Sequence, residues 1–194
     1  MSANRVRVYI ATSLDGFIAG PDGDLSWLTG SAPAAEAEAE PAPPEPGALS
    51  FEAFIAEVGA ILMGRATYDA VRGFGVPWPY GELPVLVAST RDLDPDPPST
   101  VRRVQGAIGA LVQQAREAAG PADVYLDGGA MIRQAADARL IDEITITIAP
   151  VALGAGHALF AGLNERYPLE IVSAHRFTGG MFQIRAIPAP PQPS

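Results

Sequence analysis

Neither cysteine nor lysine occurs among the 194 residues. Without cysteine there is no disulfide framework, no thiolate metal centre and no cysteine nucleophile. Without lysine there is no Schiff-base chemistry, no attachment of pyridoxal phosphate and no P-loop lysine. All 13 basic residues are therefore arginines. Histidine is scarce: His157 and His175 are too far apart for an i, i+4 pair on one helix, which excludes a zincin-type metal site. The chain also lacks any apolar run of about 18 residues, so no membrane span is expected. MSANRVRVYIATS has no signal-peptide core, and a cytoplasmic location is expected. A formal net charge of −9 argues against a nucleic-acid partner.

Four of the acidic residues are Glu in the segment 32–48, APAAEAEAEPAPPEPGA, which holds no arginine. Its five prolines deny it helical length, and it reads as a flexible surface insertion in one domain spanning 1–187. The tail 188–194, PAPPQPS, is expected to be disordered.

Elsewhere, strand and helix periodicities alternate. Val6, Val8 and Ile10 share one strand face. Phe51, Phe54, Ile55 and Val58 fall at helical spacing behind a Ser50 N-cap. Short apolar strands are expected at 61–63, 84–88, 101–105 and 124–126, and a short helix capped by Thr67. Further helices are marked by Ile108, Leu111, Val112 and Ala115, and by Ile132, Ala135, Ala136 and Leu140. Ile144, Ile146 and Ile148 alternate with threonines. Strands 169–177 and 181–187 flank Thr178-Gly179-Gly180, a hairpin signal. The expected fold is α/β: a mixed, mostly parallel sheet with flanking helices and a C-terminal antiparallel hairpin.

Several weak chemical signals follow strands. Asp127-Gly128-Gly129-Ala130-Met131 opens a helix and suits close approach of an anion such as pyrophosphate, or serves only as a tight turn. It is not the G-x-G-x-x-G fingerprint. Gly64-Arg65-Ala66-Thr67 offers a guanidinium and a hydroxyl at another helix start, or an ordinary N-cap beside a surface arginine. Ser89-Thr90-Arg91 is a third such end. All three lie at C-terminal strand ends, where open α/β sheets bind ligands. The loop Ser13–Asp24 has three Asp but no EF-hand Glu, and reads as a mobile loop over the site rather than a calcium site.

The ordered blocks SLDG at 13–16, ILMGRATYD at 61–69, PVLVAST at 84–90, VYLDGGAMI at 124–132 and IDEITITIAPVALGAG at 141–156 resemble the dihydrofolate reductase superfamily. The similarity is greatest to the reductase domain of bifunctional riboflavin-biosynthesis enzymes and covers about 5–187. The resemblance implies an eight-stranded sheet, NADPH as hydride donor, a small-molecule substrate and a possible homodimer. It implies Gly128 and Gly129, with Ala130 and Met131, at the pyrophosphate. It implies Gly64, Arg65 and Thr67 at the adenosine-side phosphates, and Ser89, Thr90 and Arg91 at the 2′-phosphate. Ala11, Ile18, Ala19 and Gly20 would border the nicotinamide.

Asp15 and Asp127 are the candidate catalytic acids, since reducing C=N or C=O needs a proton as the hydride arrives; alternatively they shape a loop and cap a helix. Glu52 is the next candidate. The riboflavin branch usually carries Glu at the position of Asp127 and a basic residue at that of Phe17. The implied activity is an NADPH-dependent reductase of a small molecule, with a riboflavin-pathway aminopyrimidine reductase or a non-catalytic nucleotide binder as alternatives.

Overall fold

Alternating burial of Val6 and Val8 against one layer, and Arg7 and Tyr9 against the other, makes β1 (Val6–Ser13) a central strand in the computed structural model, which describes residues 4–28 and 43–190. It is followed by β2 (Phe17–Ala19), α1 (Phe51–Ile55), β3 (Val58–Gly64), α2 (Arg65–Gly73), β4 (Val85–Ala88) and β5 (Val101–Val104). Then come α3 (Ile108–Ala119), β6 (Asp123–Asp127), α4 (Gly129–Asp137), β7 (Glu143–Ala149), β8 (His157–Ala158), β9 (Leu169–Arg176) and β10 (Phe182–Pro188).

Eight strands form one sheet in the order β5-β4-β3-β6-β1-β7-β10-β9, and β2 pairs with β8 in a separate ribbon. The first six strands in that order run parallel, whereas β10 is antiparallel to both β7 and β9. This is the expected mixed sheet with its C-terminal hairpin. At the hairpin turn Gly179 and Gly180 have φ of 68° and 73°, which only glycine adopts without strain.

Each sheet face buries its own apolar layer. Leu62, Leu86, Leu126 and Ile144 pack beneath α3 and α4, while Phe54, Ile61, Met63, Tyr68 and Tyr125 form an aromatic-rich layer with α1 and α2. At the N-terminal end of the strands, Arg7 is buried among Glu57, Asp123 and Glu143, and Arg5 and Arg185 complete the ion network. That end is thereby closed by paired charge.

Two helix boundaries differ from expectation. α1 stops at Ile55, and Val58 instead opens β3, paired with Asp123. Val58 joins the aromatic layer in either conformation, so its periodicity could not decide between them. α2 begins at Arg65 behind Gly64, not behind Thr67, which lies inside the first turn.

Residues 29–42 of the Ala/Glu/Pro segment lie outside the described residues. At its described end, Glu45 N donates to Arg176 O at 3.1 Å, and Glu45 Oε2 accepts from Arg176 N at 3.0 Å. This stretch therefore lies on β9. Of the tail expected from 188 onward, Pro188 closes β10 and Ala189 N donates to Pro168 O, and residues 191–194 lie outside the described residues.

Ser50 caps α1 as expected, its Oγ accepting from Ala53 N at 3.1 Å. Ser50→Ala should cost about 1 kcal/mol, lowering the melting temperature by roughly 2–4 °C. An unchanged thermal melt would mean that α1 is held by packing alone.

Candidate functional site

Among the described residues, three of the four α-helices share an omission. α2 starts behind Gly64, α3 behind Ala107 and α4 behind Gly128, none with a capping side chain. The exception, α1, has its serine cap. The first N–H groups of a helix have no intrahelical acceptor, and the helix dipole adds partial positive charge there. The three uncapped starts converge because β3, β5 and β6 all end at the same sheet edge. They border one cleft of about 420 Å³.

Every residue expected at the phosphates of a dinucleotide lines this cleft: Gly64, Arg65 and Thr67, Ser89, Thr90 and Arg91, and Gly128 through Met131. The two glycines of the Gly-Gly turn act differently. Gly128 has φ 92° and ψ 131°, and a Cβ there would overlap Thr67 Oγ1. Gly129 has ordinary helical backbone, but a Cβ there would meet Ile18 Cδ1 at 2.6 Å and Arg133 Nη1 at 3.0 Å. Together they keep floor and wall free of side chain.

The two cleft arginines also differ. Arg65 Nε donates to Asp69 Oδ1 at 2.7 Å and Nη1 to Asp92 O at 2.5 Å, so its guanidinium is held in place. Arg91 has no side-chain hydrogen bond or ion pair among the described residues, and its charge is available to a ligand. Ser89 Oγ is engaged in its own turn, bonding both Arg91 N and Arg91 O. Sequence reasoning missed Gln105, Gly106 and Gln134, which also line the cleft. Gln105-Gly106 stands between β5 and α3, and the same strand–turn–helix signal used for the other two loops would have found it.

β6, which leads into Gly128, also borders a break in the sheet. β1 and β6 pair only at Val6↔Val124 and Arg7↔Tyr125, although β1 continues to Ser13 and β6 to Asp127. Tyr9, Ile10 and Ala11 are consequently part-exposed in a central strand. Ala11 thus lies along this notch. Ile18 reaches the glycine turn from β2, whereas Ala19 and Gly20 back onto Gly156 and do not line the cleft.

The two candidate acids separate sharply. Asp127 is half-buried, its Oδ1 accepts from Gly128 N at 2.8 Å, and burial pushes its carboxyl up to about 6 despite that bond and the nearby Tyr125 hydroxyl. Tyr125 Oη donates to Tyr9 O across the strand break. Asp15 is exposed, and Ser13 Oγ and the N–H groups of Gly154 and Leu153 hold its carboxyl down to about 2. A carboxylate so stabilised carries no proton near neutrality. In this structure Asp15 anchors the 153–154 loop through the N–H groups of Leu153 and Gly154. Glu52 is exposed on α1, and its carboxyl is also shifted down, chiefly by its own backbone N–H and then by Ser50.

Residues 4–182 match the family model described as the RibD C-terminal domain. An uncharacterised Bacillus subtilis protein, YwjB, is 29% identical over 171 residues, covering 88% of this chain and 90% of that protein. A solved structure from Shewanella sp. PV-4, provisionally assigned to riboflavin biosynthesis, is 31% identical with a TM-score of 0.79, covering 96% of this chain and 99% of the other. The bifunctional deaminase and 5-amino-6-(5-phosphoribosylamino)uracil reductase of Thermotoga maritima shares the fold at 16% identity and TM-score 0.61, over 96% of this chain and 57% of that one.

Proposed function

This chain belongs to the RibD C-terminal domain family, and from that premise we propose that it is an NADPH-dependent reductase of a small molecule. The observation that carries the proposal is the convergence of three uncapped helix starts on one cleft that also holds an unpaired arginine. Such a cleft suits a polyphosphate, whose oxygens take up the free N–H groups. The open space kept by Gly128 and Gly129 fits the pyrophosphate, and Arg91 fits a further phosphate on the adenosine side. NADPH held there would supply the hydride.

This chain's own residues do the rest. The glycine turns and the helix starts orient the dinucleotide along the sheet edge towards the notch between β1 and β6. Ile18 and Ala11 wall that notch and limit water. Asp127, at the end of β6, holds a proton at its carboxyl and delivers it to the nitrogen or oxygen of the substrate double bond as the adjacent carbon accepts the hydride. With a hydride from the cofactor and this proton, the products would be the saturated C–N or C–O compound and NADP+. A carboxyl near pH 6 suits this task, being protonated in part near neutrality yet acidic enough to release the proton.

NADPH is expected to bind more tightly than NADH. A charge-assisted contact from Arg91 to phosphate is worth about 1.5–3 kcal/mol. Arg91→Ala should therefore narrow the difference between the two cofactors by about tenfold or more, read by fluorescence titration. Equal affinities in the unmutated protein would remove Arg91 from the phosphate site.

A further inference from the structure

The loop from β4 to β5 carries Arg91, and it is fastened on both sides of that residue. Before it, Ser89 N donates to Val104 O at 3.2 Å, and Ser89 O accepts from Gln105 Nε2 at 3.1 Å. After it, Asp92 Oδ1 pairs with Arg103 Nη2 at 3.1 Å, Asp92 O accepts from Arg65, and Leu93 packs against the aromatic-rich layer. Asp94 follows: its Oδ1 accepts from the Tyr68 hydroxyl, and its Oδ2 pairs with Arg72 Nη2 at 3.0 Å. The same Nη2 donates to Asp96 O at 3.2 Å. Between these fastenings, the side chains of Thr90 and Arg91 have no hydrogen bond or ion pair among the described residues.

The holding groups come from one place. Arg65, Tyr68 and Arg72 stand at i, i+3 and i+7, on one face of α2, and meet the loop at Asp92, Asp94 and Asp96. α2 is also a helix whose uncapped start borders the cleft, so one element carries a helix start and holds the loop that bears the arginine.

Among these contacts the one from Tyr68 differs in kind. The Arg72–Asp94 and Arg103–Asp92 pairs are part-exposed, and such pairs contribute little each. Tyr68 is fully buried, its ring edge-on to Trp78 with centroids 6.0 Å apart. Burial, and then Asp94, push its hydroxyl up to about 12, while the bond from Tyr68 holds the Asp94 carboxyl below the usual carboxylate range. Near neutral pH the phenol therefore keeps its proton and the carboxylate its charge. The bond is charge-assisted and rooted in the core.

We propose that Asp94, held by Tyr68, is a positioning residue for the phosphate that distinguishes NADPH from NADH: it fixes the β4–β5 loop so that Arg91 already stands at the cleft when the cofactor arrives. An arginine on a free loop would lose backbone and side-chain freedom on binding, and fixing the backbone beforehand takes part of that cost out of the binding step. The pairing of Asp92 and Asp94 also offsets their charge, which would otherwise oppose a phosphate beside Arg91. The inference rests on the reading of Arg91 as a phosphate ligand.

The test uses two mild substitutions in the full chain. Tyr68→Phe removes one hydroxyl and keeps the buried ring, and Asp94→Asn removes the charge and keeps the shape. Dissociation constants for NADPH and NADH are read by fluorescence titration, with and without Arg91→Ala, and thermal melts confirm that each variant is folded. Each substitution should weaken NADPH by roughly three- to tenfold and leave NADH within about twofold. In the Arg91→Ala background neither should change NADPH by more than about twofold, because Asp94 acts only through Arg91. A merely structural role would weaken both cofactors alike and would persist without Arg91. That outcome overturns the inference, as does unchanged NADPH affinity in both variants. If the unmutated protein binds NADPH and NADH equally, the reading of Arg91 fails and takes this inference with it. A preference for NADPH that Arg91→Ala removes but neither substitution touches overturns the inference alone.

Discussion

Asp127→Asn should lower turnover by roughly 100-fold or more, the range in which a positioned general acid contributes, and should at the same time make the protein more stable at neutral pH. The first effect follows from removing the proton donor while keeping the side chain's shape and its bond from Gly128 N. In the unmutated enzyme, activity should decline as pH rises through about 6, because the acid must be protonated. The second effect follows from linkage. The folded protein holds the Asp127 proton more tightly than the unfolded chain does, so ionising the carboxyl disfavours the fold. The destabilisation is absent well below 3.8, develops between 3.8 and about 6, and is complete above that. At about 1.4 kcal/mol per tenfold in proton affinity, its ceiling is about 3 kcal/mol. The variant's advantage in thermal melts should therefore grow between pH 4 and pH 7. A variant that keeps turnover within threefold, or an advantage that does not grow with pH, would remove Asp127 from the role of acid.

Gly128→Val should weaken NADPH binding by roughly 100-fold or more and lower the melting temperature by several degrees. Two independent penalties act on one position. A φ of 92° with ψ 131° is a conformation that residues with a Cβ rarely adopt, a strain of about 1–3 kcal/mol. The new side chain also overlaps Thr67 Oγ1, at the floor of the cleft. Adding Thr67→Ala should recover part of the stability by relieving the overlap, but not the φ strain. Circular dichroism establishes that the variant is folded, and a dinucleotide titration measures the loss. An unchanged dissociation constant in a folded variant would move the pyrophosphate away from this turn. Gly129→Val should act by a different route, pushing Ile18 and the β2 ribbon outwards, because its obstruction is steric rather than conformational.

The cleft was legible because most of its parts are local. A strand ending in glycine and followed at once by a helix leaves its own N–H groups free, whatever the rest of the chain does. Two such junctions could be read one at a time, from Gly64 and Gly128; Ser89 leads from β4 into a loop, and the third junction, at Gln105–Ala107, was missed. The sheet class was legible for the same reason: the period-2 placement of Val6, Val8 and Ile10 on one layer and the helical spacing of Ile108, Leu111, Val112 and Ala115 are properties of short windows. The boundary at Val58 was not, since helix and strand bury it in the same layer.

The acids show the limit most clearly. Asp15 and Asp127 look alike in sequence, each just past a strand and each before glycine. Their proton affinities are set by what surrounds them from elsewhere in the chain. Gly154 and Leu153, more than 130 residues away, stabilise the Asp15 carboxylate, while burial by the packed chain pushes Asp127 up against the opposing hydrogen bonds of Gly128 and Tyr125. The early parting of β1 and β6 likewise appears in neither strand alone. By itself the sequence determined most of the strands and helices, the glycine turns at the strand ends, and that arginine is the only strong side-chain cation available. Only the tertiary structure decided which cleft arginine stays unpaired among the described residues and which of the two carboxyls is pushed up. Burial and long-range pairing set those properties, and they exist only once distant segments are packed together.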